Sequence, residues 1–342
     1  MTPLPSLGLG VITYRSLPTI DRCLESVLAA AAQVDTFEGV VVDNNSPDDT
    51  ARHLDEHWAD RFRLVLRDDN LGYAVAVNSV ARVARGDIIG IVNPDTELDP
   101  EALRLGLAFL RDRPEVGVLG GNLHGGGRGA ICFGNLPTPW RFYYTNAGLR
   151  RVIPVTAWRT GLDMPPDAKD PFPVGYPCGA FLLIRRAAWE EVGPFDERFF
   201  LYFEETDWAT RCHRTKWQAW VHPGVRVRHK GGASTGSDEA SQITMFTRFY
   251  RSGFMYLAKH YGVPTARRVY RQLRSTSHLK QKLLALPLPA DIRAAQRITH
   301  PALEATAEFV FSDQLSGNPA LVLRPPHPAE AVALQHYPRK RP

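Results

Sequence analysis

Short, uninterrupted apolar runs recur through the first 120 residues, and they constrain this chain more than any other feature. Val40-Val41-Val42 and Ile88-Ile89-Gly90-Ile91-Val92 show no polar alternation. A strand made from either must be covered on both faces. Amphipathic stretches separate them. Leu7–Thr13 reads as a strand, Leu17–Ala32 as a helix, Gly39–Asp43 as a strand and Asp48–Trp58 as a helix. Phe62–Arg67, Tyr73–Ala84, Asp87–Val92, Pro100–Asp112 and Val116–Leu119 continue the alternation. Repeated βα units of this length predict an α/β domain on a mostly parallel, doubly wound sheet with flanking helices. Ligands of such sheets bind beyond the carboxyl ends of the strands. The residues just after each strand are therefore the ones to read.

Past residue 120 the pattern loosens into Gly-, Pro- and aromatic-rich sequence, read as long loops to about Pro173. Order returns with a buried strand at Gly179–Ile184, helices at Arg186–Val192 and Glu205–Lys216, and strands at Ala219–His222 and Val225–His229. Residues 240–261 read as a long helix rich in aromatics and 264–284 as a basic one. Beyond Leu286 the chain is punctuated by proline, and Pro325–Pro342 reads as a tail.

Composition excludes several classes. With 342 residues, 44% of them hydrophobic and 23% charged, the chain has enough apolar side chain for a large core. No run approaches the roughly 18 apolar residues of a spanning helix. The first residues lack a basic segment followed by an apolar one, and Cys23, Cys132, Cys178 and Cys212 form no Cys-x-x-Cys pair. Both features lead us to expect a cytoplasmic protein without disulfides or a zinc knuckle. The net charge of +5 is unevenly spread: Arg248–His300 holds eleven Lys or Arg against one acid, Asp291. Such a segment attracts phosphates or an anionic membrane surface, or anchors a second copy of the chain. Nucleic acid ranks below these, because no reading module accompanies the charge.

Four consecutive strand ends carry small polar or acidic side chains. They are Thr13-Tyr14-Arg15-Ser16, Asp43-Asn44-Asn45-Ser46, Asn70-Leu71-Gly72-Tyr73 and Asn93-Pro94-Asp95-Thr96. Each alone is ordinary turn and cap chemistry; four on one edge favour a polar ligand laid across it. Asp43 suits a base N–H or a ribose hydroxyl. Asp95 suits a hard divalent cation, which one carboxylate holds only if the ligand brings a diphosphate. No G-x-x-x-x-G-K-[ST] loop is present, and Gly8-Leu9-Gly10 lies inside a strand, which speaks against P-loop and dinucleotide sites.

The ordered series VVDNNSPDDT (41–50), NLGYAVAVN (70–78), NPDTEL (93–98), CGAFLLIRRAAWEEVGPFDERFFLYFEETDWATR (178–211), VRHKGGAST (227–235) and FYRSGFMYLAKHYG (249–262) resembles the family 2 glycosyltransferases, more narrowly their bacterial rhamnosyltransferase-like branch. The resemblance implies a GT-A fold and inverting, Mg2+- or Mn2+-dependent transfer of a sugar from a nucleotide-diphosphate donor. The sugar would be a deoxysugar such as rhamnose, and the acceptor a hydroxyl of a glycan, a polyprenyl-linked sugar or a small molecule. It divides the chain into a donor half (1–120), an acceptor half of the same domain (121–240) and a helical C-terminal region (241–342). It implies a donor set of Thr13, Tyr14, Asp43, Asn45, Asn70, Gly72, Asn93 and Asp95, with Asp43 facing the base. Asp95 is similar to the last acid of the family's DxD motif, whose first acid is here Asn93; His229 completes the metal site.

Such a transfer needs its leaving diphosphate neutralised and its acceptor hydroxyl deprotonated. The resemblance places the base at Glu205, where the family commonly carries aspartate. The extra methylene leaves Glu204 as the alternative. Asp207 orients the acceptor or braces Arg211, four residues along the same helix face. Gly179 and Trp208 are assigned to the acceptor, and Trp140, Trp158 and Tyr202 are further candidates for stacking on sugar rings. Two other readings stay open: a silent nucleotide-sugar-binding protein, and a sugar nucleotidyltransferase.

Overall fold

The computed structural model describes residues 3–125, 131–149, 153, 155, 157, 159–231, 238–283 and 290–315. Its N-terminal part alternates as the apolar runs predict: β1 (Leu7–Thr13), α1 (Ile20–Ala31), β2 (Phe37–Asp43), α2 (Thr50–Trp58), β3 (Arg63–Leu66), α3 (Tyr73–Val83), β4 (Ile88–Val92), β5 (Thr96–Leu98), α4 (Ala102–Asp112) and β6 (Val116–His124). There follow β7 (Phe133–Gly134), α5 (Pro139–Asn146), β8 (Phe172–Pro173), β9 (Tyr176–Pro177), β10 (Phe181–Arg185), α6 (Arg186–Val192), α7 (Glu204–Cys212) and β11 (Gln218–His229). The chain then turns helical, with α8 (Glu239–Tyr261), α9 (Val263–Leu283), α10 (Ala290–Glu304) and α11 (Ala307–Phe311).

Nine strands form one sheet in the order β3-β2-β1-β4-β10-β6-β11-β5, with β8 on β11. β1, β2, β3 and β4 pair in parallel, and β6 pairs in parallel with β11. The all-apolar β4 is fully buried, as an internal strand covered on both faces must be. β10 departs from the parallel expectation: it inserts antiparallel between β4 and β6. Phe181 thereby pairs with Val92, so β10 starts where β4 ends and residues 178–180 arrive at the rim. The two strands expected at 219–229 are one, bent where its register shifts between His222 and Arg226.

Gly10 explains the glycines inside β1. A Cβ there would lie 2.3 Å from a methyl of Val80, so the missing side chain lets α3 press onto the sheet. Pairing of the sheet strands buries Leu9, Val11, Val41, Ile89, Ile91, Leu183 and their neighbours in one core. A second core gathers Phe142, Phe199, Phe203, Tyr250, Phe254, Tyr256 and Tyr270 with residues of α9, α10 and α11. The helical region thus recruits α5, inside the stretch read as loops, and α10, inside the stretch read as proline-punctuated.

Part of the basic run is tied into the fold while most of its side chains stay exposed. Lys259 pairs with Asp196 and Asp207, Arg274 with Glu304, Lys280 donates to the Ala147 carbonyl and Arg267 to those of Val310 and Phe311. Among the described residues no helix is long and apolar enough to cross a membrane. The Gly126–Gly129 part of the loop, Trp158, residues 232–235 and the 325–342 tail lie outside the described residues.

Candidate active site

Strand register assembles one pole of the site. β4 ends at Val92 and turns through Asn93-Pro94-Asp95 into β5, whose Thr96 pairs with His229 at the end of β11. Asp95 Oδ1 consequently lies 3.3 Å from His229 Nε2, and the Lys230 amide donates to the Asp95 carbonyl. Both side chains are largely shielded, at 9% and 20% exposure. A carboxylate oxygen and an imidazole nitrogen at this spacing fit two neighbouring ligands of one divalent ion such as Mn2+, leaving other positions for ligand oxygens.

The other pole is the first turn of α7. Phe203 precedes it in the left-handed region (φ 69°), as does Tyr202 (φ 69°), backbone that non-glycine residues rarely adopt and that swings Glu204 and Glu205 inward. A helix N-terminus favours ionised carboxylates by up to about 1 kcal/mol. Burial outweighs it here: the Glu205 carboxyl is pushed up to about 7, and that of Glu204 is raised well above the ordinary range by burial and by its neighbour Glu205. Glu204 is 4% exposed and its Oε2 has no hydrogen-bond partner among the described residues. Glu205 instead lines a cavity of about 720 Å3 walled by Tyr176, Cys178, Tyr202, Phe203, Phe246 and Phe249. Burial also pushes the Cys178 thiol up to about 12, so it stays protonated.

Tyr73, the first residue of α3, joins the poles. Its hydroxyl lies 2.8 Å from Asn93 Oδ1 and 2.9 Å from the Gly179 carbonyl, with one proton to share. A Cβ on Gly179 would sit 3.6 Å from Glu205 Cγ, so the glycine keeps space beside that carboxylate. Gly72 before it has φ 100°, and a Cβ would meet the Phe200 carbonyl at 2.4 Å. The sequence reading missed Tyr73; its position after a glycine that opens a helix at a strand end was the available signal.

The assignments of Asp43, Thr13 and Trp208 need correction, because all three are buried. Asp43 is 1% exposed and closes a turn, accepting from Ser46 Oγ (2.6 Å), the Ser46 amide (2.8 Å) and Thr13 Oγ1 (3.4 Å). It presents almost no surface to a base, and Thr13 presents none. What the turn offers outward is Asn45, exposed at φ 59° with its side-chain amide donating to the Asp68 carbonyl (3.0 Å), while Ser46 Oγ accepts from the Arg15 amide of the neighbouring loop. Trp208 is 1% exposed, stacked on Trp189 with its indole N–H on the Gly193 carbonyl; it is core, because α7 turns that side to the sheet. Asp207 takes the second of its two expected roles: it faces away from the cavity and braces Arg211 (3.0 Å), fully buried with Lys259 (2.7 Å) and His260 (2.8 Å) beside it. Burial opposes its ionisation, but these partners hold its carboxyl below the ordinary value. Asn70 organises its loop, accepting from Asn44 and the Gly72 amide. Tyr202 borders the cavity, whereas Trp140 is half exposed beside Tyr143.

The family model described as Glycosyl transferase family 2 matches residues 9–193, more than half of the chain. The chain belongs to that family. Over 279 residues it is 28% identical to the N-acetylglucosaminyl-diphospho-decaprenol L-rhamnosyltransferase of Mycobacterium tuberculosis, covering 75% of this chain and 85% of the relative, which sets it in the rhamnosyltransferase-like branch. Among solved structures it resembles the mannosyltransferase PcManGT of Pyrobaculum calidifontis in complex with GDP-Man and Mn2+ (TM-score 0.54, 20% identity, 91% of this chain and 88% of that one). It also resembles GalNAc-T7 with UDP, GalNAc and Mn2+ (TM-score 0.53, 14% identity, 93% and 59%). These likenesses concern the fold, which is GT-A. The protein is thus a family 2 glycosyltransferase whose α7 and β11, bearing Glu204, Glu205 and His229, lie beyond the family-model match.

Proposed function

We propose that this glycosyltransferase moves a sugar, a deoxysugar such as rhamnose, from a nucleotide-diphosphate donor to a hydroxyl of a lipid-linked glycan, with inversion. One observation carries the reading: a carboxyl raised to about 7 stands in the wall of an aromatic cavity and connects through Gly179, Tyr73 and Asn93 to the Asp95–His229 pair. Asp95 and His229 would hold a divalent ion, which when bound neutralises charge on the donor's diphosphate. Tyr14, Asn45 and Asn93 border the donor's path along the rim, while Tyr202, Phe246 and Phe249 offer ring faces to the acceptor sugar.

The Glu205 carboxylate accepts the acceptor hydroxyl's proton as that oxygen attacks the anomeric carbon. The bond from that carbon to the diphosphate oxygen breaks, and a nucleoside diphosphate leaves. A single displacement of this kind inverts the anomeric centre. A carboxyl near 7 is matched to general-base work at neutral pH, which favours an enzyme over a silent binding protein. The acceptor's lipid anchor accords with arginines held over aromatic rings, Arg248 on Phe200 and Arg271 on the exposed Phe311, a surface suited to anionic headgroups.

The test incubates the protein with dTDP-, UDP- and GDP-sugars and Mn2+ and measures nucleoside diphosphate release. Slow release from one donor, lost in Asp95→Ala, is expected; no release from any donor, with or without lipid-linked acceptors, overturns the proposal.

A further inference from the structure

A second cluster of ligating side chains lies on the helices of the C-terminal region and takes no part in the chemistry above. His278 on α9 and His300 and Glu304 on α10 bring one ligand atom each to within 4.8 Å of one another. His300 and Glu304 are four residues apart, hence on one helix face. His278 Nε2 reaches across to Glu304 Oε1 at 3.2 Å, and the two imidazole rings stand edge to face with centroids 5.0 Å apart. His300 Nδ1 is hydrogen-bonded to Ser277 Oγ at 3.0 Å, which fixes the ring and leaves Nε2 for another partner. Arg274 Nε lies 2.9 and 3.1 Å from the two Glu304 oxygens and orients that carboxylate. All five residues belong to α9 or α10, which residues 284–289 connect.

We propose that His278, His300 and Glu304 form a zinc-type metal site that staples α9 to α10. Two imidazoles and a carboxylate are a donor set for a borderline cation such as Zn2+, not for Mg2+ or Ca2+, which prefer oxygen. Tetrahedral ligands at about 2.0–2.1 Å stand about 3.3 Å apart, close to the observed His278–Glu304 spacing. With His300 held by Ser277, small side-chain adjustments of His278 and Glu304 bring the three ligand atoms, now within 4.8 Å of one another, to that separation, and water fills the fourth position. Ser277 and Arg274 hold ligands from behind, as outer partners of metal sites do. The Arg274–Glu304 ion pair alone would need neither imidazole. An ion bound only by the folded helices stabilises them by mass action. The site is independent of the sheet rim and of the transfer reaction proposed there.

The experiment strips the full chain with a chelator and titrates Zn2+ against a chromogenic competitor, following the melting temperature in parallel. It is done in the parent and in an Asp95→Ala/His229→Ala background that removes the rim pair. The expected result is one Zn2+ per chain in that background, a melting temperature raised by several degrees, and visible tetrahedral bands when Co2+ replaces Zn2+. Combining His278→Ala with His300→Ala should remove that equivalent, and Ser277→Ala should weaken it about tenfold. His278→Gln and His300→Gln, which keep bulk and polarity, serve where alanine disturbs folding, with circular dichroism as the check. Absence of binding in the rim-deleted protein, Zn2+ binding that survives loss of both histidines, or equal affinity for Mg2+ overturns the proposal.

Discussion

Two faces of α7 treat their carboxylates in opposite ways. Glu205 on the cavity face and the buried Glu204 before it have no ion pair among the described residues, and burial raises both. Two residues beyond Glu205, about 200° round the helix, Asp207 is buried too but meets Lys259, His260 and Arg211, and its carboxyl is held below the ordinary value. The same helix, the same residue class and comparable burial give opposite proton affinities, so the counter-charge decides. Here the acid with partners builds the fold, and the acid in the cavity wall is the one proposed above for chemistry.

The largest effect that would break this contrast is catalytic. Glu205→Gln should lower kcat by about a thousandfold, within the usual range for a lost general base, while donor affinity by calorimetry stays within a few-fold. Should Glu204→Gln instead be the dead variant, the cavity face carries its base one position earlier. On the opposite face, Asp207→Asn leaves Lys259 and Arg211 facing a neutral amide. It should cost about 3–5 kcal/mol in denaturant melts, the range for breaking a buried pair from one side.

Next in size is pH. With the Glu205 carboxyl at about 7, the base form is lost as pH falls, so kcat/KM should drop about tenfold per unit below 7 and flatten above it. A profile flat from pH 5 to 8 would remove the base from this side chain. The smallest effect concerns Glu204. Its folded carboxyl binds protons more tightly than the unfolded one, so it detracts from stability increasingly as pH rises. Glu204→Gln should therefore be neutral near pH 4 and raise the melting temperature by a few degrees at pH 8. An equal shift at both pH values would mean that the carboxylate is not under this stress.

The sheet was legible because β1, β2 and β4 are apolar throughout and nothing but a doubly covered strand suits them. β10 is just as apolar, but periodicity carries no strand direction, so its antiparallel insertion, which delivers Gly179 to the rim, could not be read. Asp95 and His229 were found through family motifs, and the β5–β11 register supplies the physical reason they meet. Trp208 went astray, and Asp207 kept only its bracing of Arg211, because adjacent helix positions point about 100° apart, and a motif does not say which side faces a cavity. Tyr73 went unremarked because a tyrosine opening a helix has many uses until its hydroxyl is seen between Asn93 and Gly179.

The close approach of Gly72 to Phe200 has a mechanical consequence. With the Tyr73 amide bonded to the Phe200 carbonyl at 2.7 Å and no room for a methyl between the two backbones, the start of α3 and the segment leading into α7 behave as meshed gear teeth. Any swing that opens the aromatic chamber drags Tyr73 with it and disturbs Asn93 at the far rim. On the proposed reading of rim and cavity, this mesh joins the seats of the two substrates.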